Sequence, residues 1–307
     1  MPRSAPNTPF ALGLALPQYG RLAEPAAVAG FAAAAEELGY ASLWVGDRVL
    51  APREASDIYP GGGTPEQPYP PDFVHFADPL VTLACAAAVT SSARLGASTL
   101  VAPVYPPVLL ARALTSLDVA SAGRLEVGLG IGWLRDEYAA TGAPWAGRGA
   151  QLEEVLDVLD AFWTGDPLAH KSERWHIPPS DVGLRPAQKP RPPVLLGGYT
   201  PAALARAGRR ADGWMGVALP RKYLRALWSM ATKAAEEAGR DPGALRRIVR
   251  INPNPGKEIS TIADTVAYLD EAREEGVTEA FVDLHYVAQD VAHALDLAAE
   301  LRAAVKA

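Results

Sequence analysis

Cysteine is almost missing from this chain of 307 residues, which has one, Cys85. A lone thiol builds no disulfide framework, and that fits a reducing compartment. Cys85 lies in the apolar helical run from Leu80 to Val89, a place for a buried structural thiol and not for a nucleophile. Long hydrophobic runs are missing too: none reaches the roughly 18 residues that span a bilayer. Residues 1–10 hold a single arginine, several prolines and no apolar stretch of the kind a signal peptide needs. The expectation is a soluble, cytoplasmic protein with no membrane partner. Basic charge is also in short supply. Lys and Arg number 29 against 35 Asp and Glu, a formal net charge of -6, so there is no basic face for a nucleic-acid partner. One small anion could still be held locally.

What is present is apolar and rhythmic. Hydrophobic residues make up 49% of the chain, enough for one large core. Short β-rich runs alternate with Ala/Leu-rich helical stretches from end to end. Strands are predicted at Phe10–Leu16, Ser42–Gly46, Arg94–Leu100, Arg124–Gly130, Pro193–Gly197, Gly213–Val217, Arg247–Asn252 and Glu279–His285. Helices are predicted between them, several opening on proline, as at Pro79 and Pro201, and one closing at Gly39. Eight strands, each followed by a helix, predict an α/β fold of the (β/α)8 TIM-barrel type. A doubly wound sheet is the alternative, but it would normally carry fewer strands. The strand cores show no clear alternation, as expected of strands buried on both faces. A single domain over 1–307 is expected, with 1–9 as a flexible tail. Two stretches break the rhythm: the Pro/Gly-rich segment Ala51–Pro71 after strand two, and the irregular Gly165–Pro192 before strand five. Loops of that length are usually functional or disordered.

Barrel chemistry sits at the C-terminal ends of the strands. Here those ends offer Pro17-Gln18, Asp47-Arg48, Ser98-Thr99, Gly130-Ile131-Gly132-Trp133, Gly197-Gly198, Asn252 and His285. No lysine ends a strand, which argues against Schiff-base chemistry. No His-x-His pair or carboxylate cluster is there for a metal, and no acidic pair for glycoside cleavage. Small, glycine-rich ends with one aromatic suit a flat ring held by backbone contacts, with a cofactor supplying the chemistry. The sharpest local signal is Gly197-Gly198-Tyr199-Thr200 leading into Pro201. Free backbone N–H groups and a helix N-terminus there favour a phosphate; an ordinary turn with Thr200 as N-cap is the plain alternative. The glycines at 128, 130 and 132 lack the spacing of a dinucleotide fingerprint, and no helix is expected directly after them. Asp47 could simply pair with Arg48, and His285 could cap its strand. His75, His170, His176 and His293 are expected in loops or helices without a role. Glu36-Glu37 and Arg246-Arg247 are read as solvated faces.

Five segments together resemble the luciferase-like monooxygenase superfamily, and within it the branch using the deazaflavin F420. They are residues 42–48, 94–103, 117–133, 193–200 and 211–214, and the likeness runs from about Phe10 to Leu301. The resemblance implies a barrel with an insertion near strand five and a cofactor ring across its mouth. It implies a non-proline cis peptide at Ser98-Thr99, which would press on the ring. Asp47, Gly130, Ile131, Gly132 and Asp136 fall where the family touches the ring and its side chain, and Gly197, Gly198, Tyr199 and Thr200 fall at the phosphate. Where sugar-phosphate dehydrogenases of that branch carry a His after the strand-two Asp and a Glu after the strand-four glycines, this chain has Arg48 and Trp133. The implied activity is hydride transfer between F420 and a small organic substrate, with Asp47, Arg48, Trp133 and His285 as the catalytic set, no metal, and a homodimer as the family's habit. FMN with O2 and a separate reductase is the alternative cofactor reading, and a non-catalytic flavin-binding barrel is the other.

Overall fold

The computed structural model describes residues 10–305, so the expected tail at 1–9 lies outside the described residues. Eight parallel strands form the barrel: β1 (Ala11–Ala15), β2 (Ser42–Val45), β3 (Arg94–Ala97), β4 (Leu125–Gly130), β5 (Val194–Gly197), β6 (Gly213–Val217), β7 (Arg246–Ile251) and β8 (Glu279–Val282). Each pairs with its neighbours in sequence. The ring closes where β1 meets β8, with Ala11 opposite Glu279. The barrel prediction holds, and the doubly wound alternative does not.

Helices α1 (Val28–Glu37), α2 (Pro79–Ala87), α3 (Pro107–Ala120), α4 (Arg135–Thr141), α5 (Arg148–Thr164), α6 (Pro201–Arg210), α7 (Arg221–Glu237), α8 (Ile262–Glu274) and α9 (Val291–Ala304) lie between and after the strands. Their starts are written in side chains. Asp78 accepts from the Val81 N–H, Asp290 from His293, and Thr261 and Asp264 form a reciprocal capping box. Helix α4 departs from expectation: it begins three residues after Gly132 and comes before the longer α5. The segment before β5 is less irregular than expected, for Leu168–Lys171 and His176–Ser180 pair as an antiparallel hairpin. His170 and His176 therefore sit on strands. Strand three is also broken. After β3 the chain passes through a cis Ser98-Thr99 peptide, and Leu100–Val101 then pairs with Leu129–Gly130. Cys85 is half-buried against the core rather than enclosed by it.

The lumen shows an alternation that the apolar strand runs conceal. Arg246, Ile248 and Arg250 on β7 share the inward face, as do Glu279, Phe281 and Asp283 along β8. Trp44 stacks on Phe281 at 4.9 Å, and Leu195, Met215 and Ile248 complete this middle layer. Beneath it Arg94 and Arg246 each bridge both Glu126 and Glu279, at 2.6–3.0 Å. Two cations and two carboxylates thus close the floor. Arg246 and Arg247 are not solvated: Arg246 belongs to this floor, and Arg247 is buried against Trp228. Glu36 is part-exposed but is not idle. Its carboxylate accepts from the backbone N–H groups of Ser91, Ser92 and Ala93, at 2.7–3.0 Å, and so holds the entry to β3.

Candidate active site at the barrel mouth

Above the lumen, the strand ends and the segment following β2 enclose a chamber of about 170 Å³. Asp47, Arg48, Ser98, Thr99, Gly132 and Trp133 line it, with Tyr19, Tyr59, Phe73, Phe76, Arg250 and Tyr286. A wider outer chamber of about 750 Å³ lies toward β6, β7 and α8, and shares Tyr59, Arg250 and Tyr286 as wall. Both chambers lie at the C-terminal face, where barrel enzymes carry their sites.

Asp47 follows β2 and is buried. It does not pair in the simple way with Arg48: one oxygen accepts from the Val101 N–H at 2.8 Å, and both lie 3.0 Å from the Tyr105 hydroxyl. Burial pushes its pKa up, while the Val101 N–H, Tyr105 and Arg48 pull it down less strongly. Arg48 pairs instead with Glu137 of α4 at 3.3 Å. Its guanidinium lies over the rings of Trp133 and Phe73, 4.8 and 5.3 Å from their centroids. Glu137 is fully buried and accepts from the Val49 N–H at 2.8 Å. Burial raises its pKa, against the opposing pull of Arg48.

Thr99 explains two of the glycines. A Cβ on Gly130 would lie 2.5 Å from Thr99 Oγ1, and one on Gly197 3.1 Å from its Cγ2. The strand-four and strand-five ends are therefore bare because the Thr99 side chain packs between them. Ile131 lends its carbonyl to the Tyr138 hydroxyl at 2.6 Å, so that phenol already has a partner.

The 197–200 turn sits on the rim and lines neither chamber. Gly198 has φ +133, a conformation that favours glycine, and its carbonyl accepts from the Trp214 indole at 2.9 Å. Thr200 caps α6 through the Ala203 N–H at 3.2 Å, which realises the plain reading and uses one of the N–H groups of the first turn. Tyr199 packs edge-on against Trp214. Asp136 accepts from the Ser56 N–H and hydroxyl, each at 2.9 Å, and thereby pins the segment after β2. Asp57 does the same through Arg135.

His285 stands apart from Asp47, Arg48 and Trp133. It is 1% exposed, stacks on Tyr19 at 4.0 Å, and its Nε2 lies 2.9 Å from Asp72. Neither chamber is lined by it. The residues that sequence reasoning missed are Tyr59, Glu137, Arg250 and Asp283. Arg250 reaches Asp283 at 2.5 Å, and Tyr19 donates to the same carboxylate at 3.1 Å. The every-second-residue pattern in β7 and along β8 was the available signal for Arg250 and Asp283; Tyr59 and Glu137 had none. Among the described residues no group of three or more His, Cys, Asp or Glu could hold a metal ion. No described helix is long and apolar enough to cross a membrane.

Fold and mouth define the class: a closed (β/α)8 barrel with a buried polar chamber at the C-terminal strand ends. The chain belongs to the luciferase-like monooxygenase family, whose pattern matches residues 7–303. An uncharacterized Mycobacterium tuberculosis protein is 31% identical over 258 residues, 82% of each chain. Among solved structures, an F420-dependent secondary alcohol dehydrogenase in complex with an F420-acetone adduct superposes with TM-score 0.78 at 17% identity, covering 98% of this chain and 100% of that one. The monooxygenase RslO1 from Streptomyces bottropensis gives TM-score 0.73 at 22% identity, covering 94% and 98%.

Proposed function

We propose that this chain is an F420-dependent oxidoreductase acting on a small organic substrate that carries an electron-poor C=C, C=N or C=O. One observation carries the reading. The chamber has a wall of Ser98, Thr99, Val101 and Gly132, and beside it a buried Arg250 Nε that has no acceptor in the protein. The pyrimidine edge of a flavin or deazaflavin bears carbonyl oxygens and fits such a donor. The resemblance of the strand-end segments to the F420-using branch is what favours the deazaflavin over FMN, since the fold is shared by F420-dependent and monooxygenase neighbours alike. When bound, the deazaflavin supplies or accepts hydride. The protein's share is placement and the exclusion of water.

In this reading Ser98 and Thr99 shape the ring face, with Gly130, Ile131 and Gly132 beside them, and Asp47 orients the ring edge. Gly197, Gly198, Tyr199 and Thr200 offer the rim position for the phosphate, with Asp136 near the cofactor's side chain. Arg48 and Trp133 face the substrate. Arg48 stays a cation and cannot serve as a base. His285 acts through Tyr19, which it stacks on and which lines the chamber. Tyr59 and Tyr286 are the phenols in the wall of both chambers and are placed to hold a proton for the product.

The test is anaerobic mixing of the protein with reduced F420 and cyclohex-2-enone or a cyclic imine. Oxidised F420 should accumulate only when protein and acceptor are both present. Product formation from reduced FMN and O2, with reduced F420 inert toward every acceptor, would instead establish the monooxygenase reading.

A further inference from the structure

Arg48 is held as a donor with unused capacity. Its side chain is 7% exposed, is fixed by Glu137, and lies against Trp133 and Phe73. Even so, its buried Nε makes no hydrogen bond, its Nη1 meets Glu137 Oε1 only as an ion pair at 3.3 Å, and the buried Trp133 Nε1 also has no acceptor. Buried donors of this kind are normally satisfied, so the chamber is shaped for a ligand that brings an acceptor oxygen. Arginine beside aromatic rings would ordinarily suggest a carboxylate. The surrounding charges say otherwise. Arg48 already faces Glu137 and Asp47, and Arg250 already faces Asp283. Two cations thus meet three carboxylates, and Asp78 lies close enough to act on Asp47. A further anion would find no cation without a carboxylate partner, in a buried site that screens charge poorly.

We infer that the inner chamber selects a small, flat, uncharged substrate through its carbonyl oxygen, which accepts from Arg48 and Trp133, and that Glu137 enforces this choice by cancelling the charge of Arg48. The inference rests on the oxidoreductase reading for its chemistry, but its selectivity is a property of the protein alone. In this account Glu137 is a positioning residue and touches no substrate.

Benzamide and benzoate test it, because they share shape and differ in charge. Binding is measured by calorimetry on the cofactor-free protein at pH 7.5. Benzamide should bind at least tenfold more tightly than benzoate. Arg48→Met should cost benzamide tenfold or more, and Arg48→Lys, which keeps the charge without the fork, should recover only part of that. Glu137→Gln keeps the shape and removes one negative charge, so the preference should fall at least tenfold or reverse toward benzoate. Equal or tighter binding of benzoate by the wild-type protein, binding of neither probe, or an unchanged ratio in Glu137→Gln would overturn the inference. Because no cofactor is present, those results are independent of whether F420 or FMN is the partner.

Discussion

Glu36 shows how one side chain can be misread from its neighbours. In sequence it is half of an acidic pair near the end of a helix, and such pairs usually face water. In the fold its carboxylate gathers three successive backbone N–H groups from the turn entering β3. Partial burial raises its pKa, but the N–H groups of Ala93, Ser92 and Ser91 together overcome that and bring it down to about 2. The folded pKa lies below the unfolded value, so this stabilisation is complete above the ordinary glutamate range and disappears as pH falls toward about 2. Glu36→Gln should cost about 1–2 kcal/mol at pH 7, a figure discounted for solvent screening. Paired denaturant melts of the two proteins should show the gap shrinking between about pH 5 and pH 2.5. A gap independent of pH would mean that the carboxylate charge plays no part.

At the scale of elements, the parts that were legible carry local punctuation. Helix α6 starts at Pro201, where the proline was expected to place it, and β6 runs from Gly213 to Val217 as predicted. Helix α4 was hidden because it is short and its sequence, RDEYAAT, is polar. The hairpin before β5 was hidden because Pro178 and Pro179 fall in one of its strands, which an exposed two-stranded edge tolerates. The lumen rails were hidden because alternation was sought as apolar against polar, whereas here inward charges flank inward apolar residues. Asp47, Arg48, Ser98, Thr99, Gly132 and Trp133 line one chamber because barrel geometry makes strand ends converge. Tyr59 was not, since nothing local says where a long loop will rest. That loop is held shut by contacts at its first half: Asp57 to Arg135 at 2.9 Å, and Ser56 to Asp136. These are exposed, so Arg135→Ala should leave the global melting temperature almost unchanged. Limited proteolysis within 51–71 should nevertheless become several-fold faster. An unchanged cleavage rate would show that the Arg135 side chain does not hold the loop.

For the molecule as a whole, the barrel carries its polar groups at its two ends, separated by an apolar layer around Trp44 and Phe281. The floor is a neutral quartet, and its two glutamates are almost fully buried. Removing one member leaves an uncompensated charge, which is far more costly than the quartet is stabilising. Arg246→Met should lower stability by about 3–5 kcal/mol, seen as a fall in the denaturant midpoint. Adding Glu126→Gln should return part of that loss. If the single variant were neutral, the quartet would be incidental to folding. The mouth is the other polar end, and there the unpaired donors are left for ligands.

The account turns on which ring those donors meet. A fluorescence titration of the purified protein with F420, followed by the same titration with FMN, is the most direct measurement. The account predicts saturable binding of F420 that weakens at least tenfold in Arg250→Met and Gly198→Ala, with FMN binding much more weakly. Tight FMN binding with no F420 binding would contradict it.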